Sequence, residues 1–243
     1  MEHPSPPCNP ERRGPERRIL IRNIMIVTTM KNAEISAEIR RDARYVEAMI
    51  RRFMNCKLRR LIAGERPLQS NYWLEFTTPR NNHVLAQLRF ENKKKAYQQM
   101  GGYCVFYVVN TGHGKYVFTL NMFNEKGNML LNIYQPHFFQ RYAQRCGVKA
   151  TEIKLIKTFF NRNRIHGIND GTQKWKDADD VNVMFTTNEG YLMGHEEPDG
   201  TVHMNTMVTH EQMTQKQRRG ALDIIRKFTD NFKSMRKWRK SRI

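Results

Sequence analysis

Apolar residues recur along this chain in two rhythms, every third or fourth position and every second, and the switches between them divide it into elements. The run 19–29 carries Ile19, Ile21, Ile24, Ile26, Val27 and Thr28, a β-branched density that predicts a strand. From 32 to 63 the rhythm is helical. Ile35, Ile39, Val46, Ile50, Phe53 and Leu61 fall at helical spacing, Asn32 is placed to cap, and Gly64 and Pro67 end the pattern. The opposite face carries Arg40, Arg41, Arg44, Arg51, Arg52, Arg59 and Arg60, so the segment predicts a long, basic, amphipathic helix.

Between 72 and 134 the residues are aromatic and branched. Segments 72–77, 84–90, 103–110, 115–123 and 129–134 predict strands, separated by turn signals at Pro79-Arg80-Asn81-Asn82, Gly101-Gly102, Gly112-His113-Gly114 and Glu125-Lys126-Gly127-Asn128. Two helices follow, 136–146 and 151–161, divided by Gly147 and opened by Pro136, whose missing N–H costs nothing in a first helical turn. The stretch 162–180 is polar, has Trp175 as its only aromatic residue, and predicts a loop. Strands return at 181–187, 191–196 and 201–208, with turns at Asn188-Glu189-Gly190 and Pro198-Asp199-Gly200. Thr209 and Gln212 have the spacing of a capping box, which predicts a closing helix running through Trp238. No internal repeat is visible.

These elements predict an α+β fold: a twisted antiparallel β-sheet packed against short helices, with long basic N- and C-terminal helices. The organisation expected is a disordered basic N-terminus over 1–18, a strand plus basic amphipathic helix over 19–66, an α+β core domain over 67–215, and a basic helix and tail over 216–243.

Charge decides what such a fold meets. The 243 residues carry a formal net charge of +19, and the sequence pI is near 10.1. Aromatic residues at 10% argue for a packed core rather than an unfolded polycation. An excess this large attracts polyanions over a Debye length. No run of about 18 apolar residues exists, and the Pro-rich, charged opening lacks the apolar centre of a signal peptide, so a cytoplasmic protein without a membrane partner is expected. Cys8, Cys56, Cys104 and Cys146 lie far apart with no C-x-x-C pair, which fits reduced thiols. The nucleic-acid-binding candidates are Arg40, Arg41, Arg44, Arg51, Arg52, Arg59 and Arg60, together with Lys233, Arg236, Lys237, Arg239 and Lys240 in a terminal cluster that also holds Arg242. A solvated helix face, partly neutralised by Glu34, Glu38, Asp42 and Glu47, is the competing interpretation of the first group.

Candidate chemistry concentrates in one helix. His137, Arg141 and Arg145 fall on a narrow arc, with Phe139, Tyr142, Ala143 and Cys146 opposite. Arginine forks match phosphate oxygens, and histidine exchanges a proton near neutrality. A helix of the form H-x-x-x-R-x-x-x-R after a β-meander, a second helix, then strands carrying Gly190, Gly194 and the 206–209 segment resembles the metal-independent ribonuclease superfamily of barnase, EndoU, the tRNA-cleaving colicins and RelE-type toxins. The likeness covers about 130–215. It implies attack of an RNA 2′-hydroxyl on the adjacent phosphorus, with His137 as acid or base, Arg141 and Arg145 stabilising charge, and Thr206 or Thr209 donating to a phosphate oxygen. It also implies a toxin or defence setting. This chain is much longer than the small toxins, with added basic helices.

Other constellations carry less. His195 and His203 are spaced to approach each other across a hairpin and suit a metal or a catalytic pair, though plain surface positions are the better explanation of both. His113 lies in a Gly-flanked turn without the spacing or following helix of a phosphate loop, and His166 lies in the polar loop. Asp177, Asp179 and Asp180 do not have the strand-end placement of a two-metal nuclease. No cofactor and no metal are called for. The partner expected is nucleic acid, RNA in preference to DNA. The alternatives are a non-enzymatic DNA- or RNA-binding protein, or a basic adaptor of an acidic protein partner such as an antitoxin.

Overall fold

The computed structural model describes residues 25–64, 71–90, 102–123, 129–164, 167–170 and 183–215, with residues 92, 94, 96 and 219. The disordered segment expected at 1–18, Trp175, the 171–180 acidic cluster, His166 and the whole C-terminal basic cluster with Trp238 lie outside the described residues. Two compact units divide the chain between Tyr107 and Val108. Both mix helices with strands, so the protein is α+β.

The first unit opens differently from expectation. Residues 25–27 are irregular and lead into a turn closed by the Met30 amide on the Val27 carbonyl (3.1 Å), so the described part of the 19–29 run is not a strand. Ile26 is fully buried, and its amide donates to Asn82 Oδ1 at 2.8 Å, a side-chain partner in place of a ladder. Helix α1 spans Asn32–Phe53, and its N-cap is Lys31 rather than Asn32. The Lys31 amide donates to Glu34 Oε2 at 2.9 Å, satisfying a donor the helix itself leaves open.

Beyond Phe53 the helix becomes a π turn over Met54–Leu58, then resumes as α2, Arg59–Gly64. The interruption has a packing consequence. On an unbroken helix Leu58 would point roughly 130° from the centre of the buried stripe of α1. The extra residue of a π turn rotates the phase back by about 100°. Leu58 and Ile62 are accordingly buried, while Leu61, the residue expected to extend the stripe, is only partly so.

Strands β1, Asn71–Thr77, and β2, His83–Arg89, form an antiparallel hairpin from Asn71↔Arg89 to Thr77↔His83. The loop is set by residue chemistry. Pro79 suits the first corner, and Asn81 takes φ 64°, a left-handed conformation that asparagine tolerates. The Asn81 amide donates to the Thr78 carbonyl at 2.9 Å. Strand β3, Gly102–Thr111, contributes Phe106 and Tyr107 to this unit's core.

Helix α1 is fastened to the hairpin by buried polar groups. Glu38 and Asp42 have 0% and 2% of their surfaces exposed. Arg80, from the hairpin loop, grips Glu38 with both Nε and Nη2, and Arg41 donates to the same carboxylate at 3.1 Å. Asn82 Nδ2 donates to Asp42 Oδ2 at 2.8 Å. The competing interpretation of the sequence counted both acids in a solvated helix face, although their spacing puts them near the apolar stripe. They sit inside because each has a dedicated donor in the loop, the condition under which a buried charge is tolerated.

In the second unit strand β4 is Gly114–Phe123 and β5 is Met129–Tyr134, paired antiparallel. Helices α3, Pro136–Arg145, and α4, Glu152–Arg162, follow. Strands β6 (Gly167–Asp170), β7 (Val183–Thr186), β8 (Gly190–Glu196) and β9 (Val202–Thr209) complete it in the order β4-β5-β9-β8-β7-β6. The expected purely antiparallel sheet is corrected here, because β5 and β9 run parallel, Asn132↔Val202 to Tyr134↔Met204. Parallel neighbours need a long crossover, and α3, α4 and β6–β8 supply it. Strand β6 lies in the segment expected to be a loop. Gly-Ile-Asn-Asp has little strand preference of its own and is held by its pairing with β7.

Gly147 ends α3 at φ 61°, with the Val148 amide on the Ala143 carbonyl at 2.9 Å. The core beneath is aromatic. Tyr134 meets Phe138, Phe139, Phe159 and Phe160 at centroid distances of 5.2, 5.9, 6.1 and 5.3 Å. The edge-on pairs among these, with Phe138 and Phe160, add about 0.5–1.5 kcal/mol each beyond the area they bury. Among the described residues no helix is long and apolar enough to cross a membrane.

Glu38→Gln should cost about 3–5 kcal/mol in chemical denaturation, because Arg80, 16% exposed, loses its counter-charge. Glu47→Gln, which breaks an exposed pair with Arg51, should cost under about 0.5 kcal/mol. Equal effects would show that the Glu38 contact is an ordinary surface pair.

Candidate nucleic-acid interface

The outer face of α1 and α2 carries Arg40, Arg41, Arg44, Arg51, Arg52 and Arg60, all exposed; the Arg59 side chain lies outside the described set. Two exposed acids share this face, and buried Glu38 reaches it through Arg41 at 3.1 Å. Glu34 is engaged with the Lys31 amide, and Glu47 is 3.8 Å from Arg51. With Glu38 and Asp42 buried, the arginines outnumber the carboxylates that can screen them. Tyr45, also exposed, sits at the margin of the stripe with its ring 6.1 Å from Phe76 of β1.

The second candidate is built on α3 and β9. Phe138, Phe139 and Tyr142 are buried, which turns His137, Arg141 and Arg145 towards the strand. Spacing had named Phe139 and Tyr142 but omitted Phe138; Ala143 and Cys146 are only half-buried. Strand β9 is irregular at this point. Met193 pairs with Thr206 and Gly194 with Met204, so Asn205 is an extra, bulged residue. A bulge turns its carbonyl out of the ladder, and α3 receives it. Arg141 Nη1 lies 3.5 Å from the Asn205 carbonyl, a weak contact, and His137 hydrogen-bonds to the same backbone. Arg145 Nη1 donates to Thr206 Oγ1 at 2.8 Å and to the Met207 carbonyl. Glycine is needed opposite: a Cβ on Gly194 would lie 2.6 Å from the His203 carbonyl oxygen.

His137, Arg141, Arg145 and Thr206 are therefore brought together. Thr209 belongs to another arrangement. It is 8% exposed, pairs with Gly190, and its amide donates to Gln212 Oε1 at 3.3 Å. The capping-box spacing thus marks a 3-10 turn, His210–Gln212. The closing helix expected to run through Trp238 falls largely outside the described residues.

Burial first, then the neighbouring Arg141 charge, hold the His137 imidazole below the ordinary histidine value, against the opposing pull of the Asn205 hydrogen bond. The ring is neutral at pH 7 and able to accept a proton. Behind the helix, Glu189 receives the Tyr142 hydroxyl at 2.9 Å and Asn163 Nδ2 at 2.7 Å, with Arg162 at 3.6 Å. Burial, reinforced by that carboxylate, pushes the Tyr142 phenol far above its ordinary value. Glu189 thus braces α3 from inside and leaves the His137 face without a bonded acid.

His195 and His203 are direct cross-strand partners, as their spacing suggested. His203 Nε2 lies 2.8 Å from Glu197 Oε1. Among the described residues no group of three or more His, Cys, Asp or Glu side chains is placed to hold a metal. His113 is exposed in the β3–β4 turn. Two features escaped the sequence reading: the bulge at Asn205, for which nothing local signals, and Tyr45, whose position four residues after Arg41 was a usable clue.

The fold and these surfaces define the class as a mixed α+β protein with an arginine-faced helix and a His-Arg helix seated on a bulged strand. Compared with protein-family models, curated proteins and solved structures, the chain matches none.

Folding displaces a proton from His137 between its native and unfolded values. Its contribution to stability is complete above about pH 6.5 and is lost as pH falls towards the native value. In a proton NMR titration the His137 ring should turn over below about pH 6.5, and Arg141→Gln should raise the midpoint. A midpoint that stays put or falls would remove Arg141 as a cause.

Proposed function

We propose that the chain is a nucleic-acid-binding protein, directed to RNA in preference to DNA, that meets phosphates with the arginine face of α1. One observation carries this reading: Arg40, Arg41, Arg44, Arg51 and Arg52 are exposed on one helix while Glu38 and Asp42 of the same helix are buried. The exposed pairs that remain are worth about 0–1 kcal/mol, weak enough for a phosphate to displace. Lys233, Arg236, Lys237, Arg239 and Lys240, outside the described residues, add to the cationic excess in this reading. A reducing cytoplasm suits Cys104 and Cys146, which are free thiols.

The preference for RNA rests on the likeness to metal-independent ribonucleases, and the α3–β9 cluster favours a second reading on that basis. The 2′-oxygen would attack phosphorus as a base takes its proton, and the 5′-oxygen would leave with a proton from an acid. The products are a 2′,3′-cyclic phosphate and a 5′-hydroxyl. A neutral His137 suits the base, Arg141 and the remaining donors of Arg145 suit the phosphorane charge, and Thr206 can donate to a phosphate oxygen.

Two measurements test these readings. In fluorescence anisotropy, binding should weaken with salt. Replacing Arg40, Arg44 and Arg51 together by Gln should flatten the log–log slope by about 2, at roughly 0.7 per single-strand phosphate contact. Failure to retain RNA or DNA at low salt ends the first reading. For the second, RNA should be cut in EDTA, and His137→Ala should slow cutting at least about 100-fold while binding persists. Absence of EDTA-resistant cleavage by the unaltered protein ends it.

A further inference from the structure

The margin of the α1 arginine stripe has a composition that phosphate binding alone does not explain. Arg41, Tyr45 and Arg52 are spaced four and seven residues apart, which places them within about 40° of one another around the helix. Their Cα atoms are separated along the axis by roughly 6 and 10 Å. All three are exposed. Tyr45 is 36% exposed, although its ring packs 6.1 Å from Phe76 at 54°. Phe76 itself is half-buried on β1, so the tyrosine is supported from below without being covered.

A large aromatic ring kept at the surface between two guanidinium groups has little use against a duplex. There the bases are stacked on one another, and a helix lying on the outside touches phosphates and sugars. A single strand is different. Its bases have free faces, each can stack on an aromatic side chain, and the intervening phosphates meet the flanking cations. The guanidinium planes themselves stack on bases. Of the acids on α1, Glu38 and Asp42 are buried, Glu38 bonding Arg41; Glu34, on the same arc, is engaged with the Lys31 amide roughly 10 Å along the axis before Arg41, and Glu47 lies on the far flank, towards Arg51.

We infer that Tyr45, backed by Phe76 and flanked by Arg41 and Arg52, is a base-stacking platform that makes the α1 surface selective for single-stranded nucleic acid. This rests on the nucleic-acid reading above and narrows it to a substrate class. The competing explanation is that Tyr45 merely packs on Phe76, and it predicts a different result.

The test uses the full chain and three fluorescent probes of equal length. They are an unstructured 2′-O-methyl RNA of about 12 nucleotides, which cannot be cut through its own 2′-hydroxyl, the same strand with abasic spacers, and the corresponding duplex. Tyr45→Leu keeps an apolar contact with Phe76 and removes the ring face; Tyr45→Phe keeps both, and thermal melting checks that each variant is folded. Tyr45→Leu should weaken binding of the intact single strand about tenfold, leaving the abasic strand and the duplex within about twofold, while Tyr45→Phe binds all three as the unaltered protein does. Equal losses on the three probes, or none on the intact strand, overturn the platform and leave salt-dependent binding standing. If the unaltered protein binds none of the probes at low salt, both the platform and the nucleic-acid reading fall.

Discussion

Burial of the Glu38 carboxylate against Arg80 sets the character of the first unit. An ionised group out of water needs every oxygen answered, and Arg80 from the β1–β2 loop and Arg41 from the helix answer it. Asp42, one turn on, is held by Asn82, whose own carbonyl oxygen receives the Ile26 amide. A helix, a hairpin loop and the segment before the helix are thereby fixed by two side chains. The same arrangement has an electrostatic outcome, since Glu38 and Asp42 are answered by Arg80, Arg41 and Asn82 rather than by the rest of the outer arginine face.

The second unit is organised by different physics. Tyr134 lies among Phe138, Phe139, Phe159 and Phe160, and this aromatic packing sets the rotation of α3 about its own axis. Rotation is what matters for His137, Arg141 and Arg145, which land over the bulge at Asn205 because the opposite face is locked. The guanidinium of Arg145 is at once a strap onto β9 and a source of further donors. A phosphate ligand would therefore meet a positioned fork rather than a free side chain.

Local rules made much of this legible. Hairpin strands from 72 to 134, the Pro136 start and Gly147 stop of α3, and the apolar stripe through Phe53 all follow from turn chemistry and periodicity. The departures share a cause, which is dependence on partners distant in sequence. Glu38 and Asp42 are spaced near the apolar stripe, yet their charge allowed a solvated-face interpretation because their partners Arg80 and Asn82 lie some forty positions away. Leu58 and Ile62 are buried only because one π turn shifts the phase, which no residue between Met54 and Leu58 announces. The parallel direction of β9, and β6 as a strand, were likewise set by pairing rather than preference. At the candidate sites helical spacing placed His137, Arg141 and Arg145 on one arc, and Thr206, named through the family resemblance, lies against Arg145. The resemblance named Thr209 as an alternative to Thr206, but the two are three residues apart on β9 and strand alternation puts them on opposite faces.

The parallel pairing of β5 with β9 also constrains the order of events during synthesis. Residue 132 must wait for residue 202 before its strand gains that neighbour. Local hairpins and the α3–α4 pair form early, whereas closing this loop carries a large entropic toll and comes late. Until β9 arrives, one edge of β5 stays open to any passing strand, including that of another nascent copy. A chain with strong mutual repulsion between its copies is well suited to surviving that interval, so the cationic excess that would meet a ligand would also guard the unfinished polypeptide against aggregation.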